Sequence, residues 1–508
     1  MLKSFCSRLL LALSTGALAA TLALAPASAA DTAADPGKAM VAAHDTKGKD
    51  PTVAAPKTFE ALSRESAICA SCHAKENPGI YQQWGQSKHY GGNVGCYECH
   101  KANPGDPDAI RHKDMLISVI VSPKKCATCH AREVEQFDKS HHSTAALILN
   151  SLDNVLAEVV EGSIHGAMAL NGESAVAVQG CWQCHGGVVK VLPDGKLDPA
   201  TWPNSGIGRI NPDGSKGSCN ACHQRHSFSA AQARQPETCG KCHLGPDHPQ
   251  KEIYEESKHG IAYRANIDKM NLSSPKWIPG QDYTAAPTCA TCHMSATATL
   301  PVTHDIGSRI TWNLRLPISE RIDAKAIREG KSVKPWADRE KDMRQVCTSC
   351  HSVSWVDNWY VQYNSVITTY NEKFAKPGAA IMKALREAKL ITPTEFDEKI
   401  EWTWFYLWHH EGRRARHGAA MQAPDYVQWH GFYEVAEKFY TGMIPEAREI
   451  AQHALQTGKK AEADSVDKVI DDILNRPEHM WFLGKTAPGK VEHDQKRIDF
   501  MKTYTGGK

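Results

Sequence analysis

Apolar positions fall into three regimes along the chain. Leu9 to Leu24 is a continuous apolar stretch, broken at Ser14, Thr15 and Gly16, behind a basic start at Lys3 and Arg8. Ala27-Ser28-Ala29-Ala30 then supplies small residues, so residues 1–30 read as a cleavable export signal. Residues 31–59 are rich in Ala, Asp, Lys, Gly and Pro without periodicity and read as a flexible lead-in. From 60 to 355 neither helical nor alternating periodicity dominates, and strand signals are sparse. After 355 the helical period returns: Val466, Val469, Ile470, Ile473 and Leu474 share one face, as do Phe432, Val435, Ala436 and Phe439. The expected fold is mainly α: a loop-rich domain over 60–355, then a domain of long helices over 356–508. No second stretch reaches the roughly 18 apolar residues that a membrane span needs.

Cysteine usage explains the middle region. Eight Cys-x-x-Cys-His motifs use sixteen of the 17 cysteines: Cys69-Cys72-His73, Cys96-Cys99-His100, Cys126-Cys129-His130, Cys181-Cys184-His185, Cys219-Cys222-His223, Cys239-Cys242-His243, Cys289-Cys292-His293 and Cys347-Cys350-His351. The pattern reads as covalent attachment of c-type haem, with two thioether bonds to the porphyrin and the adjacent imidazole on the iron. A disulfide scaffold would be short, and a zinc ribbon needs no histidine after every second cysteine. The remaining cysteine, Cys6, precedes the apolar stretch and is lost on cleavage. Export agrees with this chemistry, which takes place outside the bacterial cytoplasm, so a periplasmic location is expected. About 37 residues per motif over 60–355 are too few for an ordinary core around each one. The porphyrins themselves are then the core.

Charge adds little. The formal balance of +2, from 59 basic and 57 acidic residues, gives no argument for nucleic acid or an anionic membrane. Each ferric haem with neutral ligands adds about one negative charge, so the loaded protein becomes acidic.

Low-spin haems need a second axial histidine. The candidates between and beyond the motifs are His89, His112, His141 or His142, His226, His259, His304 and His417. Seven distal ligands for eight irons would leave one iron with an open face, which separates a catalytic haem from an electron conduit. His165, His248, His409, His410 and His430 are further candidates, so the count leaves the conduit alternative open. The segment from Gly186 to Ser218 is dense in turn residues and reads as a long structured loop or a plain surface insertion.

The chain resembles the octahaem hydroxylamine oxidoreductases. The resemblance covers most of the expected mature chain. It rests on the eight motifs in order, on Cys219-Asn-Ala-Cys222-His223-Gln-Arg-His226-Ser-Phe228, on Cys239-Gly-Lys-Cys242-His243-Leu-Gly-Pro-Asp247-His248, and on Ser257-Lys-His259, Pro287-Thr-Cys289-Ala-Thr-Cys292-His293-Met294 and Thr303-His304. It implies eight covalent haems, with the catalytic one at Cys181, Cys184 and His185. It implies an acid–base pair, Asp247 and His248, at the open face, and a tyrosine, matched by Tyr426, cross-linked to the catalytic porphyrin of a neighbouring subunit in a homotrimer. The implied reaction is oxidation of hydroxylamine, with electrons passed to a periplasmic cytochrome c. Hydrazine is a comparable substrate. Two departures point toward the reverse reaction, reduction of nitrite or hydroxylamine to ammonium. The segment Trp312-Asn-Leu-Arg315-Leu-Pro317 lacks the tyrosine of oxidative members, and the loop before motif five is like that of reductive relatives.

Overall fold

A computed structural model describes residues 62–150, 159 and 175–505. The export signal and lead-in expected over 1–59, and the alternative ligand His165, lie outside the described residues.

Nearly every haem motif winds a short helical turn. Helix α1 (Arg64–Glu76) carries the first and α2 (Cys96–His100) the second. A hairpin follows, β1 (Ala109–His112) antiparallel to β2 (Met115–Ser118). Helix α3 (Pro123–Asp138) carries the third motif, α4 (Cys181–His185) the fourth and α5 (Cys289–His293) the seventh. The fifth begins on a single 3-10 turn, Cys219–Ala221, and the sixth runs on from a short helix, Pro236–Gly240. Helix α6 (Trp336–Cys347) ends at the first cysteine of the eighth. Positions i, i+3 and i+4 of a helix are neighbours, so this winding brings both thiols and the imidazole to one side.

Local polar contacts fix these turns. The Glu98 carboxylate accepts from Ser63 Oγ and Ser66 Oγ at 2.6 Å each and from Gly95 N at 2.8 Å, tying α1 to α2. A Cβ on Gly95 would stand 2.3 Å from Ser66 Oγ, so the approach requires glycine. The long loop after motif four folds back onto it. Ile207 N donates to Cys184 O at 2.9 Å, and Gly208 N to His185 O at 3.2 Å. Buried Arg209 pins the loop from inside, donating to Asn204 O and to Asn211 Oδ1.

After motif eight the chain builds long helices. Helix α7 (Val353–Tyr370) runs through a π turn, Asn371–Ala375, into α8 (Lys376–Glu387). Helix α9 (Lys399–Phe405) runs through a second, Tyr406–Glu411, into α10 (Gly412–Met421). Helices α11 (Pro424–Val427), α12 (Glu434–Glu437) and α13 (Ile444–Gln456) are joined by two more, and α14 (Lys460–Leu474) packs back on α13. An ordinary apolar core sits here, around Phe374, Ile381, Phe405, Phe439, Met443 and Ile470. The stripe expected on α14 is buried at Val466, Ile470, Ile473 and Leu474, with Val469 packed partly against it. The fold is mainly helical, as the periodicity implies.

Candidate functional site

Beside the pair His243–His248, six pairs of histidine rings face each other among the described residues of the motif region. His73 stands 6.2 Å from His112, His100 6.4 Å from His226, and His130 6.2 Å from His89, ring centroid to ring centroid. His223 stands 6.4 Å from His304, His243 6.1 Å from His142, and His351 6.2 Å from His259. Each pair joins one motif histidine to one distal candidate. With metal–nitrogen bonds of about 2 Å and ring centroids about 1.2 Å behind the nitrogens, two imidazoles across one iron stand about 6.4 Å apart. The residues therefore fit axial ligation of haem. His142 is the member of its doublet that faces a motif histidine, while His141 lies near Gly307, Arg315 and Arg339.

Two further observations agree. None of the sixteen motif thiols is buried, although free cysteine is ordinarily among the most buried side chains. His73 Nδ1 meets Asn77 Oδ1 at 2.7 Å and His100 Nδ1 meets Ser118 O at 2.8 Å, which orients each ring and leaves its other nitrogen for a metal. Burial, reinforced by neighbouring histidines, pushes His142 down to about 3 and His223, His226 and His243 to about 4. Neutral imidazole is the form that binds iron.

Thiol contacts trace which motifs are neighbours. Cys126 lies close enough to Cys219, Cys184 to Cys242, and Cys239 to Cys289 for each thiol to perturb the other. The third motif thus touches the fifth, and the sixth touches both the fourth and the seventh. The loop after the sixth motif consequently lies beside the fourth.

That loop carries Asp247 and His248. His248 Nδ1 is 2.6 Å from Asp247 Oδ1, and its Nε2 is 3.1 Å from the carbonyl oxygen of Cys242. With both ring nitrogens engaged, His248 is not arranged as a ligand, even though its ring is 6.1 Å from His243. Burial alone would raise the Asp247 pKa, but the hydrogen bond and charge of His248, then His409 and Arg413, hold it well below the carboxylate range. Burial alone would lower His248, but the hydrogen bond and charge of Asp247 raise it overall. The His248 charge is also felt at the Cys184 thiol.

The C-terminal helices close over this pair. Arg413 on α10 places Nη1 3.6 Å from Asp247 Oδ2 and 3.0 Å from His409 Nε2. Its Nε and Nη2 donate to Arg315 O at 3.1 and 2.7 Å. In the sequence Arg413 stands in a basic run with Arg414 and Arg416, after the aromatic row Trp402, Trp404, Phe405, Tyr406 and Trp408. That run, beside the histidine pair 409–410, was the available signal. His417, also on α10, is half-buried near His243 and His248, with no hydrogen-bond partner for its Nδ1. Tyr426 on α11 lines a cavity of about 250 Å³ with Gly245, Pro246, Pro249, Glu252, Arg414 and His430, on both sides of Asp247–His248 in sequence. Gly418 permits this placement, since a Cβ there would meet the Tyr426 backbone at 2.8 Å.

Known proteins share these features. The family described as seven times multi-haem cytochrome CxxCH matches residues 212–395, and the family of cytochrome c554 and c-prime matches residues 125–208. A solved structure titled a hypothetical multiheme protein is 27% identical and superposes with a TM-score of 0.64, covering 81% of this chain and 100% of its own. A chain of a reducing HAO-like protein complex from Kuenenia stuttgartiensis, 19% identical, shares the fold at a TM-score of 0.57, over 78% of this chain and 87% of its own. Over 258 residues the chain is 28% identical to a probable nitrite reductase-hydroxylamine oxidoreductase fusion protein of Kuenenia stuttgartiensis, covering 44% of this chain. The match spans 25% of that relative's length.

The chain is a multihaem cytochrome c with covalently bound haem. Over 44% of its length it is similar to a nitrite reductase-hydroxylamine oxidoreductase fusion protein, and it shares the fold of a chain in a reducing HAO-like complex. Among the described residues no helix is long and apolar enough to cross a membrane.

Proposed function

We propose that this chain is an exported, periplasmic octahaem oxidoreductase that oxidises hydroxylamine at the haem of Cys181, Cys184 and His185. The proximity of the Asp247–His248 pair to Cys184 supports the reading most strongly. That haem supplies an iron that takes the substrate and accepts its electrons. Oxidation of hydroxylamine to nitrite takes its second oxygen from water and releases protons along with the electrons, and the chain's own residues must receive those protons. Asp247, held ionised, offers a carboxylate oxygen to an N–H or O–H of the substrate. His248, hydrogen-bonded behind it, takes up or gives the proton to solvent with a pKa set by Asp247. Arg413 keeps the carboxylate in place. Haems held by the remaining motifs would carry the electrons toward a periplasmic cytochrome c, and in a homotrimer Tyr426 of one chain would reach the catalytic porphyrin of the next.

A second reading, reduction of nitrite or hydroxylamine to ammonium at the same haem, is favoured by Trp312. Its Nε1 donates to Asn364 at 2.8 Å and Arg321 stacks 4.0 Å over its ring, so the segment where oxidative members place a tyrosine is committed to packing. That the fold is shared with a chain of a reducing HAO-like complex agrees with this reading. Mass spectrometry of denatured protein separates the two. The haem peptide of Cys181–His185 joined to the Tyr426 peptide supports oxidation. Absence of the joined peptide assigns the protein to reduction.

A further inference from the structure

Three carboxylates converge at the start of α9, far along the chain from any haem motif. Asp397, Glu398 and Glu401 each offer an oxygen, and these lie within 4.8 Å of one another. Three like charges this close repel unless protons or a cation neutralise them. Glu401 is 5% exposed, and its Oε2 has no hydrogen-bond partner. Glu398 Oε2 is likewise buried and unpartnered. The nearby cation Arg386 reaches only Glu401 Oε1, at 3.3 Å, and more than half of its side chain is exposed. Lys399 turns away to Glu446, at 2.9 Å.

The cluster is also held in place. Thr392 N donates to Glu398 Oε1 at 2.6 Å, and Thr392 Oγ1 donates to Asp397 Oδ2 at 2.8 Å. Phe396 takes φ +65°, and Trp402 Nε1 fixes its carbonyl at 2.9 Å. These contacts use one oxygen of each loop carboxylate and leave the other for a further partner. An all-oxygen set of carboxylates suits a hard divalent cation, and loose geometry with several carboxylates suits calcium better than magnesium. Soft or imidazole-seeking metals have no ligand of their preferred type here.

We infer that Asp397, Glu398 and Glu401 form a calcium site. It would clamp the loop 391–398 to the start of the continuous helix that carries Arg413 and His417. The site is independent of the proposed reaction.

The test is calcium binding to the purified holoprotein, freed of metal with EDTA and dialysed against radioactive Ca²⁺ up to about 1 mM, the weak end of protein calcium sites. One high-affinity ion per chain is expected in the wild type, with a higher melting temperature in calcium than in EDTA. Asp397→Asn, an exposed substitution, is expected to weaken binding at least tenfold and to abolish the calcium-dependent rise, with the haem spectrum unchanged as the check on folding. No binding by the wild type up to 1 mM overturns the inference. So does binding that Asp397→Asn leaves unchanged, because the ion then sits elsewhere.

Discussion

The imidazole of His248 stands 2.6 Å from the carboxylate of Asp247, and each holds the other in its charged form. The pair sits on the loop that leaves the sixth haem motif, against Cys242 and His243, and the charge of His248 is also felt at Cys184 of the fourth. An acid–base pair in the loop after one Cys-x-x-Cys-His motif is what the proposed mechanism draws on.

Asp247→Asn removes the proposed proton acceptor while keeping the shape. Hydroxylamine turnover is expected to fall about 10²- to 10⁴-fold, the usual worth of a positioned acid–base group. Haem content, read from the pyridine haemochrome spectrum, should be unchanged. Unaltered turnover would remove Asp247 from the mechanism.

His112 faces His73 of the first motif as its proposed distal partner and lies on an exposed strand end, so its loss should not unfold the chain. His112→Ala is expected to convert one haem from low-spin to high-spin, seen as a new signal in electron paramagnetic resonance. Retention of an all-low-spin first haem would contradict the pairing with His73.

Glu98 ties the first two motifs together. Burial alone would raise its pKa, but its hydroxyl and amide donors prevail and lower it. Stability gained this way is full above the ordinary glutamate value of about 4.3 and is lost as pH falls through the lower folded value. Glu98→Gln is therefore expected to melt at a lower temperature than wild type at neutral pH, with the gap closing on acidification below that value. A gap that grows on acidification would contradict the sign.

Phe439 is fully buried between Phe374 and Tyr440 in the C-terminal core. Phe439→Ala should cost about 3–5 kcal/mol, the usual figure for emptying an aromatic from a packed core. Thermal unfolding monitored by far-ultraviolet circular dichroism measures it.

Much of this architecture is legible in the sequence because its signals are local. A Cys-x-x-Cys-His motif states its chemistry in five residues, and the stripe Val466, Ile470, Ile473 states its helix in eight. The distal histidines are legible only as a set. Which one meets which motif depends on returns of the chain over long separations, as with His142 and His243, and no local pattern records them. The hairpin of β1 and β2 escapes because its four-residue strands carry too little alternation to stand out. Arg413 escapes for another reason. Its contact with Asp247 joins a helix to a loop far earlier in the chain, and a basic residue in a basic run gives no hint of that partner. The four π turns have no recognisable sequence mark, since each is settled by the packing of the helix around it.

Low-temperature magnetic circular dichroism of the oxidised protein, before and after hydroxylamine, tests the central claim most directly. The account expects one high-spin haem among low-spin ones, and a change at that haem first when hydroxylamine is added. A spectrum of low-spin haem alone, indifferent to hydroxylamine, would contradict it and leave an electron conduit.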